Sequence, residues 1–498
     1  MSAGLAKPHP MLRAWPLAAT DAAGLALWDS AEIAAVTGGI ASGVFQVSGV
    51  EMDSRDVTPG DLFIALKGEA MDGHRFVPMA FEKGAAGAIT DRPVDYPHVL
   101  VNDTSEALHA LARAARTRSA AMRIGVTGSV GKTGVKEAIF NALDRASRGA
   151  AHRSVRSYNN HVGVPLSLAR MPARSRYGVF EMGMNHAGEI APLADHVRPH
   201  VAIITTIAPA HIENLGTIEA IADEKSQIFT GLAEGGTAVI PADLPETERM
   251  IGHARSLGVK IVTFGRSESA DVRLLDAIPS ANGGSLVTAL IRAGGGEQRV
   301  CYTIAEPGDH WVNNSLCVMA AVRAAGADLA SAGLALAEMG GLKGRGARHQ
   351  IAVNGAGAGN RALLIDESYN ANPASMRATL RVLGQTPAHR RIAVLGAMKE
   401  LGDFSPRFHA ALAQPLDEAQ IDHAILVGDE MRSLAVELGK SPGLSLGKRP
   451  SFAHCNTPEE AIAALEDYGL TNGDAVLVKG SNSVGLARLV THFTAAQR

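Results

Sequence analysis

The sequence predicts an α/β protein of three domains: a small N-terminal α/β unit, a central doubly wound parallel sheet and a second parallel sheet at the C-terminus. Three observations carry this. The chain has 498 residues, and a single hydrophobic core stops growing near roughly 250–300 residues. Apolar runs of strand length alternate with helix-length segments, the pattern of parallel strands joined by crossover helices. That pattern resets near Arg345, where "GGLKGRGARHQ" concentrates glycine and positive charge between a helical run and a new strand, so a hinge or linker is expected there. The expected boundaries are residues 26–120, 121–343 and 344–498.

Composition narrows the class. Apolar residues make up 46%, charged residues 19% and aromatics only 4%, which suits a chain with aliphatic cores better than a disordered one. A net charge of −3 offers no broad basic face, so neither nucleic acid nor acidic lipid is an expected partner. Cys301, Cys317 and Cys455 are scattered without a C-x-x-C pair, which indicates neither a disulfide framework nor a zinc site and fits a reducing cytoplasm. The stretch "MLRAWPLAATDAAGLALW" is interrupted by Arg13 and Asp21 and does not read as a signal peptide. No window reaches ~18 uninterrupted apolar residues, so membrane insertion is not expected.

Residues 1–25 carry three prolines and no periodicity, and read as a lead-in. From there to about Ser119, "DLFIAL", "AGAIT" and "HVLV" read as short strands and "EALHALARAA" as a helix. From Met122 the strands lengthen: "RIGVTG", "YGVFEMG", "VAIITTIA" and "TAVIPA" are near-continuous apolar runs of the kind buried on both faces. After Arg345 come "ALLIDES", "RIAVLGAM", "HAILVGDE" and "DAVLVKGS", a second, Rossmann-like set. "NGAGAGN", residues 354–360, reads as a hairpin or loop.

The stretch "IGVTGSVGKTGVKEAI" carries the first chemical signal. Ile124–Val126 ends a strand, Gly128 and Gly131 allow a tight turn, and Lys132–Thr133 open a helix with Val135, Ala138, Ile139, Ala142 and Leu143 on its apolar face. Backbone N–H groups at such a junction favour phosphate, a lysine there reaches the outer phosphates, and a threonine hydroxyl can ligate Mg²⁺. The strict pattern wants glycine where Val126 stands, so this is the variant T-G-x-x-G-K-T. A bare glycine turn without ligand is the alternative.

Glu181 ends one strand and His211 follows the next, and carboxyl edges of parallel sheets are where ligands bind. A solvated glutamate and an exposed histidine are the plain readings. In "TIEAIADEKSQIFTGLAEGG" the residues Ile218, Ile221, Ala222, Ile228, Phe229 and Leu232 form an apolar stripe on which Lys225 falls. Either its ammonium threads out to water, or CO₂ caps the amine as a carbamate and makes it an anionic oxygen ligand for Mg²⁺.

Together the glycine loop, "EMGMNHAGEI", "HIENLGTIEAIADEKSQIF", "GDHWVNN" and the "KGR" ending in Arg345 resemble the Mur ligases, ATP-dependent amide-forming enzymes of peptidoglycan synthesis. "YNNHVGVPLSL", "DESYNANPASM", "VLGAMKELG" and "VLVKGS" resemble the member that joins D-alanyl-D-alanine to UDP-N-acetylmuramoyl-tripeptide (UDP-MurNAc-tripeptide). The resemblance implies an ATP site at Thr127, Gly128, Ser129, Val130, Gly131, Lys132 and Thr133, completed by Asn314, Arg345 and Asp366. It implies two Mg²⁺ ions held by Thr133, Glu181, His211 and carbamylated Lys225, with Lys132, Glu181, His211 and Lys225 as the catalytic set. Ser54, Arg55, Asp72, Gly73 and His74 would meet the UDP-sugar, Asn159 and Asn160 the peptide, and Tyr369, Asn370 and Asn372 the incoming D-alanyl-D-alanine (D-Ala-D-Ala). Small-molecule substrates and a monomeric enzyme are implied. Gly134, Glu367 and Asn482 depart from the usual pattern. The competing expectations are the sibling that adds the third residue, a folylpolyglutamate-type ligase, a P-loop ATPase that needs neither peptide, and a non-catalytic nucleotide-binding scaffold.

Overall fold

The computed structural model describes residues 26–68, 71–280, 283–293, 296–353, 360–440 and 450–495. The lead-in 1–25 and residues 354–359 of the expected hairpin lie outside the described residues. The chain divides into two compact units: residues up to Ala121 with 147–152 and 165–176, and residues 122–146, 153–164 and 177 onwards.

In the first unit the strands Ile40–Ala41, His98–Leu100, Gly87–Thr90, Asp61–Ile64 and Gly49–Glu51 form one sheet in that order. All neighbours are parallel except the first pair. The helix Thr104–Arg118 begins where the Asp103 carboxylate accepts from the N–H groups of Ser105 and Glu106, satisfying donors that the first turn leaves open. Its stripe of Ala107, Leu108, Leu111, Ala112 and Ala115 is buried, as the period of 3.6 requires. Polar contacts anchor residues 165–176 here: the Trp28 indole donates to the Ala169 carbonyl at 2.9 Å, and Arg170 donates to Glu51 at 2.9 Å and to the Val50 carbonyl at 2.8 Å.

Among the described residues the second unit contains two sheets. In the first, hydrogen-bonded neighbours run Gly296–Ile304, Ser285–Ala293, Val272–Pro279, Lys260–Gly265, Thr237–Pro241, Val201–Ile204, Met122–Thr127 and Tyr177–Glu181. From Val272 onward in this order the pairs are parallel. Met122–Thr127 lies between a strand that follows it closely and one that comes later, so its carboxyl end is a topological switch point. In the register Glu181 stands beside Val126 and Ile204 beside Thr127. Helix Lys132–Ser147 buries Val135, Ala138, Ile139, Ala142 and Leu143 completely, the face expected from the sequence.

The three outer strands of this sheet, Val272–Pro279, Ser285–Ala293 and Gly296–Ile304, pair antiparallel. Val287, Ala289 and Ile291 are fully buried between more exposed neighbours, the alternation of a sheet with one wet face. The other sheet runs Ala347–Ala352, Arg361–Glu367, Ala475–Lys479, Arg391–Gly396, His423–Val427 and Ser451–Cys455, parallel apart from its first pair. Glu367 stands beside Lys479, and Lys479 beside Leu395.

Candidate functional site

A cavity of about 550 Å³ is lined by both sheets of the second unit. From the first sheet come Ser129, Val130, Gly131, Lys132, Asn159, Glu181, His211 and Asn314. From the second come Arg345, Glu367, Tyr369, Asn370, Asn372, Lys399, Glu400 and Lys479. Two carboxyl edges of parallel strands therefore meet in one cleft, where loop groups rather than ladder groups face the interior.

The glycine loop is shaped by backbone needs. Gly128 has φ 145° and Gly131 φ 85°, a region costly for side chains. A Cβ on Gly128 would also sit 2.0 Å from Thr205 Oγ1. The Thr205 hydroxyl donates to the Val130 carbonyl at 2.5 Å, and the Ser129 hydroxyl to the Ala208 carbonyl at 3.0 Å, which ties the loop to the end of Val201–Ile204. Lys132 donates from Nζ to the Gly128 carbonyl at 2.7 Å. Thr127 Oγ1 is buried and has no hydrogen-bond partner among the described residues, an orphaned hydroxyl beside the cradle.

Glu181, 1% exposed, is the hub of the site. Thr133 Oγ1 donates to its Oε2 at 2.9 Å, Asn159 Nδ2 donates to its Oε1 at 2.8 Å, and Lys136 Nζ lies 4.0 Å away. Lys136, fully buried, also meets Glu137 at 2.9 Å and the carbonyls of Ser154 and Arg156. The sequence reading missed it, although it lies one helical turn beyond Lys132.

Lys225 is 1% exposed on a helix, Ile218–Ser226, that gives way to a 3₁₀ turn at Gln227–Gly231. Its ammonium does not thread out to water. Burial, with the charge of Lys132 adding and Glu224 opposing, holds the Lys225 amine well below the usual lysine range. A neutral amine is the form that reacts with CO₂. Burial also lowers Lys132, which Glu181 opposes and Arg345 reinforces. His211 takes the left-handed conformation at φ 60°, and its Nδ1 pairs with Glu400 of the second sheet's loops. The His211 ring against it holds the Glu400 carboxyl below its ordinary range.

Other expected site residues are engaged differently. Asp366, 2% exposed, accepts from the N–H of Gly344 at 2.8 Å and from the hydroxyl of Ser368 at 2.6 Å. It holds the Arg345 loop and is not among the cavity-lining residues. Arg345 stacks on Tyr369, 4.4 Å from the ring centre, and its NH2 lies 3.5 Å from Ser157 Oγ. Asn160 caps helix Gly163–Ala169 by accepting from the Gly163 N–H. Asn372 caps Pro373–Gln385 in a reciprocal box with Ser375. Asn370 receives Lys479 Nζ on its carbonyl at 2.9 Å. Gly134 has a cause in packing, because its Cβ would lie 2.9 Å from the Trp311 ring.

In the first unit, the Asp72 carboxylate accepts from the His74 N–H at 3.0 Å, from the ring at 2.7 Å and from Arg92 at 2.7 Å. His74 Nε2 meets Asp91 as well, and its side chain is 3% exposed. The His74 amide first, then Arg92, hold the Asp72 carboxyl well below the carboxylate range. A Cβ on Gly73 would sit 2.5 Å from the Leu66 carbonyl. Ser54 is buried against Met79, whereas Arg55 is open, its guanidinium paired with Asp53 at 2.6 Å.

Among the described residues no three His, Cys, Asp or Glu side chains cluster as a ready-made metal site. A hard cation still finds suitable donors in the Glu181 carboxylate and Thr133 hydroxyl, with His211 on the same cavity.

Residues 46–119 match the Mur ligase family catalytic domain, 126–322 the Mur ligase middle domain and 352–482 the Mur ligase glutamate ligase domain. The chain is 34% identical to the UDP-N-acetylmuramoyl-tripeptide--D-alanyl-D-alanine ligase of Synechocystis, over 90% of this chain and 92% of that one. It is 32% identical to the Escherichia coli ligase of the same name, over 89% and 92%. In structure it resembles MurF from Acinetobacter baumannii, with TM-score 0.77 and 29% identity over 94% of this chain and 99% of that one. It also resembles MurF from Thermotoga maritima in complex with ADP, with TM-score 0.70 and 26% identity over 90% and 97%.

Proposed function

The chain belongs to the Mur ligase family, and on that premise we propose that it joins D-Ala-D-Ala to the terminal carboxylate of UDP-MurNAc-tripeptide, driven by ATP. The observation that carries this reading is the single cavity that holds the glycine loop and Lys132 together with Tyr369, Asn370 and Asn372. In this reading residues 26–120 bind the UDP-sugar, 121–343 the nucleotide and 344–498 the dipeptide.

A carboxylate at neutral pH is a poor electrophile. The γ-phosphoryl group of ATP passes to it first, giving an acyl phosphate, and the dipeptide amine then displaces phosphate. Lys132 leaves the Gly128 carbonyl to meet the phosphoryl oxygens, and the loop amides of Gly128–Thr133 hold the phosphate chain. Asn314, close to Gly131, faces the base, while Arg345 lies at the junction of the two sheets. Movement about the Arg345 segment brings the reactants into line and keeps water from the acyl phosphate. Thr133, Glu181, His211 and Lys225 as its carbamate are the residues that would hold two Mg²⁺ ions, whose chemistry is to neutralise charge on the transferring group.

The working form is taken as a cytoplasmic monomer; among the described residues no helix is long and apolar enough to cross a membrane. The test is ATP-dependent phosphate release with UDP-MurNAc-tripeptide, comparing D-Ala-D-Ala with free amino acids. Release that needs both peptides and yields UDP-MurNAc-pentapeptide is expected. Preference for a free amino acid would instead favour the sibling or folylpolyglutamate-type ligase, and release with neither peptide an ATPase.

A further inference from the structure

Beyond the motif residues the cavity holds a carboxyl group that no motif explains. Glu306 follows strand Gly296–Ile304 and precedes helix Asp309–Ala324. It is 7% exposed, lines the cavity, and has no hydrogen bond or ion pair among the described residues. A buried carboxyl in that state is costly unless it is protonated or a ligand supplies a cation. A second carboxyl stands beside it. A Cβ on Gly346 would lie 3.3 Å from Glu306 Oε2 and 3.7 Å from Glu367 Oε1, so the glycine leaves room for both.

The surrounding charges are few. Glu367 meets Lys479 Nζ at 3.5 Å, and that ammonium is shared with the Asn370 carbonyl. Arg348 attracts Glu306 from beyond ion-pair distance. His310, at the start of the adjoining helix, is pushed down to about 4, by burial first and then by the charge of Lys479, so it carries no positive charge at neutral pH. Asp309 is exposed, and Arg345 lies over Tyr369. One carboxylate of the pair thus has a cation and the other has none. Burial pushes the Glu306 carboxyl up to about 7, with Arg348 opposing and Glu367 adding.

Resting on the ligase reading above, we propose that Glu306 and Glu367 form the amine end of the dipeptide subsite, where Glu306 binds the ammonium of D-Ala-D-Ala and accepts its proton. The ammonium gives one N–H proton to the Glu306 carboxylate and becomes a neutral amine. Its lone pair attacks the acyl carbon, the C–N bond forms, and the C–O bond to phosphate breaks. Phosphate leaves with that electron pair and takes the second N–H proton as HPO₄²⁻. Glu306 then returns its proton to solvent. Tyr369, Asn370 and Asn372 line the same cavity, and Lys479 links the Asn370 carbonyl to Glu367, so in this proposal the dipeptide backbone lies between them and the acyl phosphate.

The test is Glu306→Gln, read in two assays on the full chain with ATP and UDP-MurNAc-tripeptide. One measures ligation of D-Ala-D-Ala; the other measures trapping of the acyl phosphate by hydroxylamine, a nucleophile already neutral at neutral pH. The ratio of ligation to hydroxamate formation is expected to fall at least tenfold in Glu306→Gln and to be partly restored in Glu306→Asp. The acid limb of kcat/KM for the dipeptide, expected near pH 7 in the parent, should move about one pH unit lower. A ratio within twofold of the parent, or an unmoved limb, overturns the proposal, as does equal loss in both assays. Absence of hydroxamate in the parent would instead sink the ligase reading itself.

Discussion

Two short loops carry the ligand-binding signals most visible in the sequence, and they are built in opposite ways. The glycine loop at Thr127–Thr133 leaves its chemistry open: Lys132 and Gly131 line a cavity, and the Thr127 hydroxyl has no partner among the described residues. The turn at Asp72–His74 closes on itself, with a carboxylate, an imidazole and an arginine consuming one another's hydrogen bonds. Both contain a glycine that tolerates no side chain. The difference teaches that residues of one motif divide into those that shape a loop and those that remain free to act. In the first unit the solvent-exposed group is Arg55, whereas His74 is buried.

The contrast is broken most severely at Lys132. Lys132→Ala should lower phosphate release by about a thousandfold or more, the scale on which a single charge-stabilising donor acts, while thermal melting stays near the parent value. Next is Lys225→Ala, expected to be at least about a hundredfold slower and partly rescued by a short carboxylic acid in the buffer. An undiminished rate would remove the carbamate from the mechanism.

In the first unit the order should reverse. His74→Ala is expected to cost about 2 kcal/mol of stability through lost buried hydrogen bonds, read by urea unfolding. Arg55→Ala should leave stability alone and raise KM for the UDP-sugar peptide about tenfold, as loss of one charged substrate contact would. Acid sharpens this. Asp72 is held below its ordinary range in the folded state, so its stabilisation is present above the unfolded carboxylate range and lost as the pH falls through and below it. Melting of the parent should therefore decline more steeply on acidification than melting of Asp72→Asn.

The smallest effect separates two helical glycines. Gly134→Ala should destabilise by about 1–2 kcal/mol, because the new methyl meets the Trp311 ring. Gly252→Ala, where a Cβ meets nothing within 4 Å, should stabilise by about 0.5–1 kcal/mol. Equal shifts at the two sites would mean that the Trp311 contact yields freely.

Much of this was legible beforehand because it is local. Parallel strands buried on both faces announce themselves as unbroken apolar runs, and the stripe Val135, Ala138, Ile139, Ala142 and Leu143 states its own helix period. The outer strands from Val272 to Ile304 were not foreseen, since alternating half-buried residues look like polar loop when read without their partners. Lys136, Glu306 and Lys479 escaped for a related reason: nothing in their immediate neighbours says that a distant strand or loop will bury them, just as nothing near Glu400 announces His211 as its partner. Lys479 had a signal in hand, as it ends a buried strand just as Glu181 does.

By itself the sequence determined the alternation of strands and helices, the glycine loop with its lysine and threonine, and a lysine placed on an apolar stripe, for these depend on spacing along the chain. Only the tertiary structure decided which charges stay free. It closed Asp366, Asn160 and His74 into internal hydrogen bonds, paired His211 with Glu400, and left Glu306 alone beside Glu367. Hydrogen bonding and burial depend on which distant groups arrive, and arrival is a property of the packed chain.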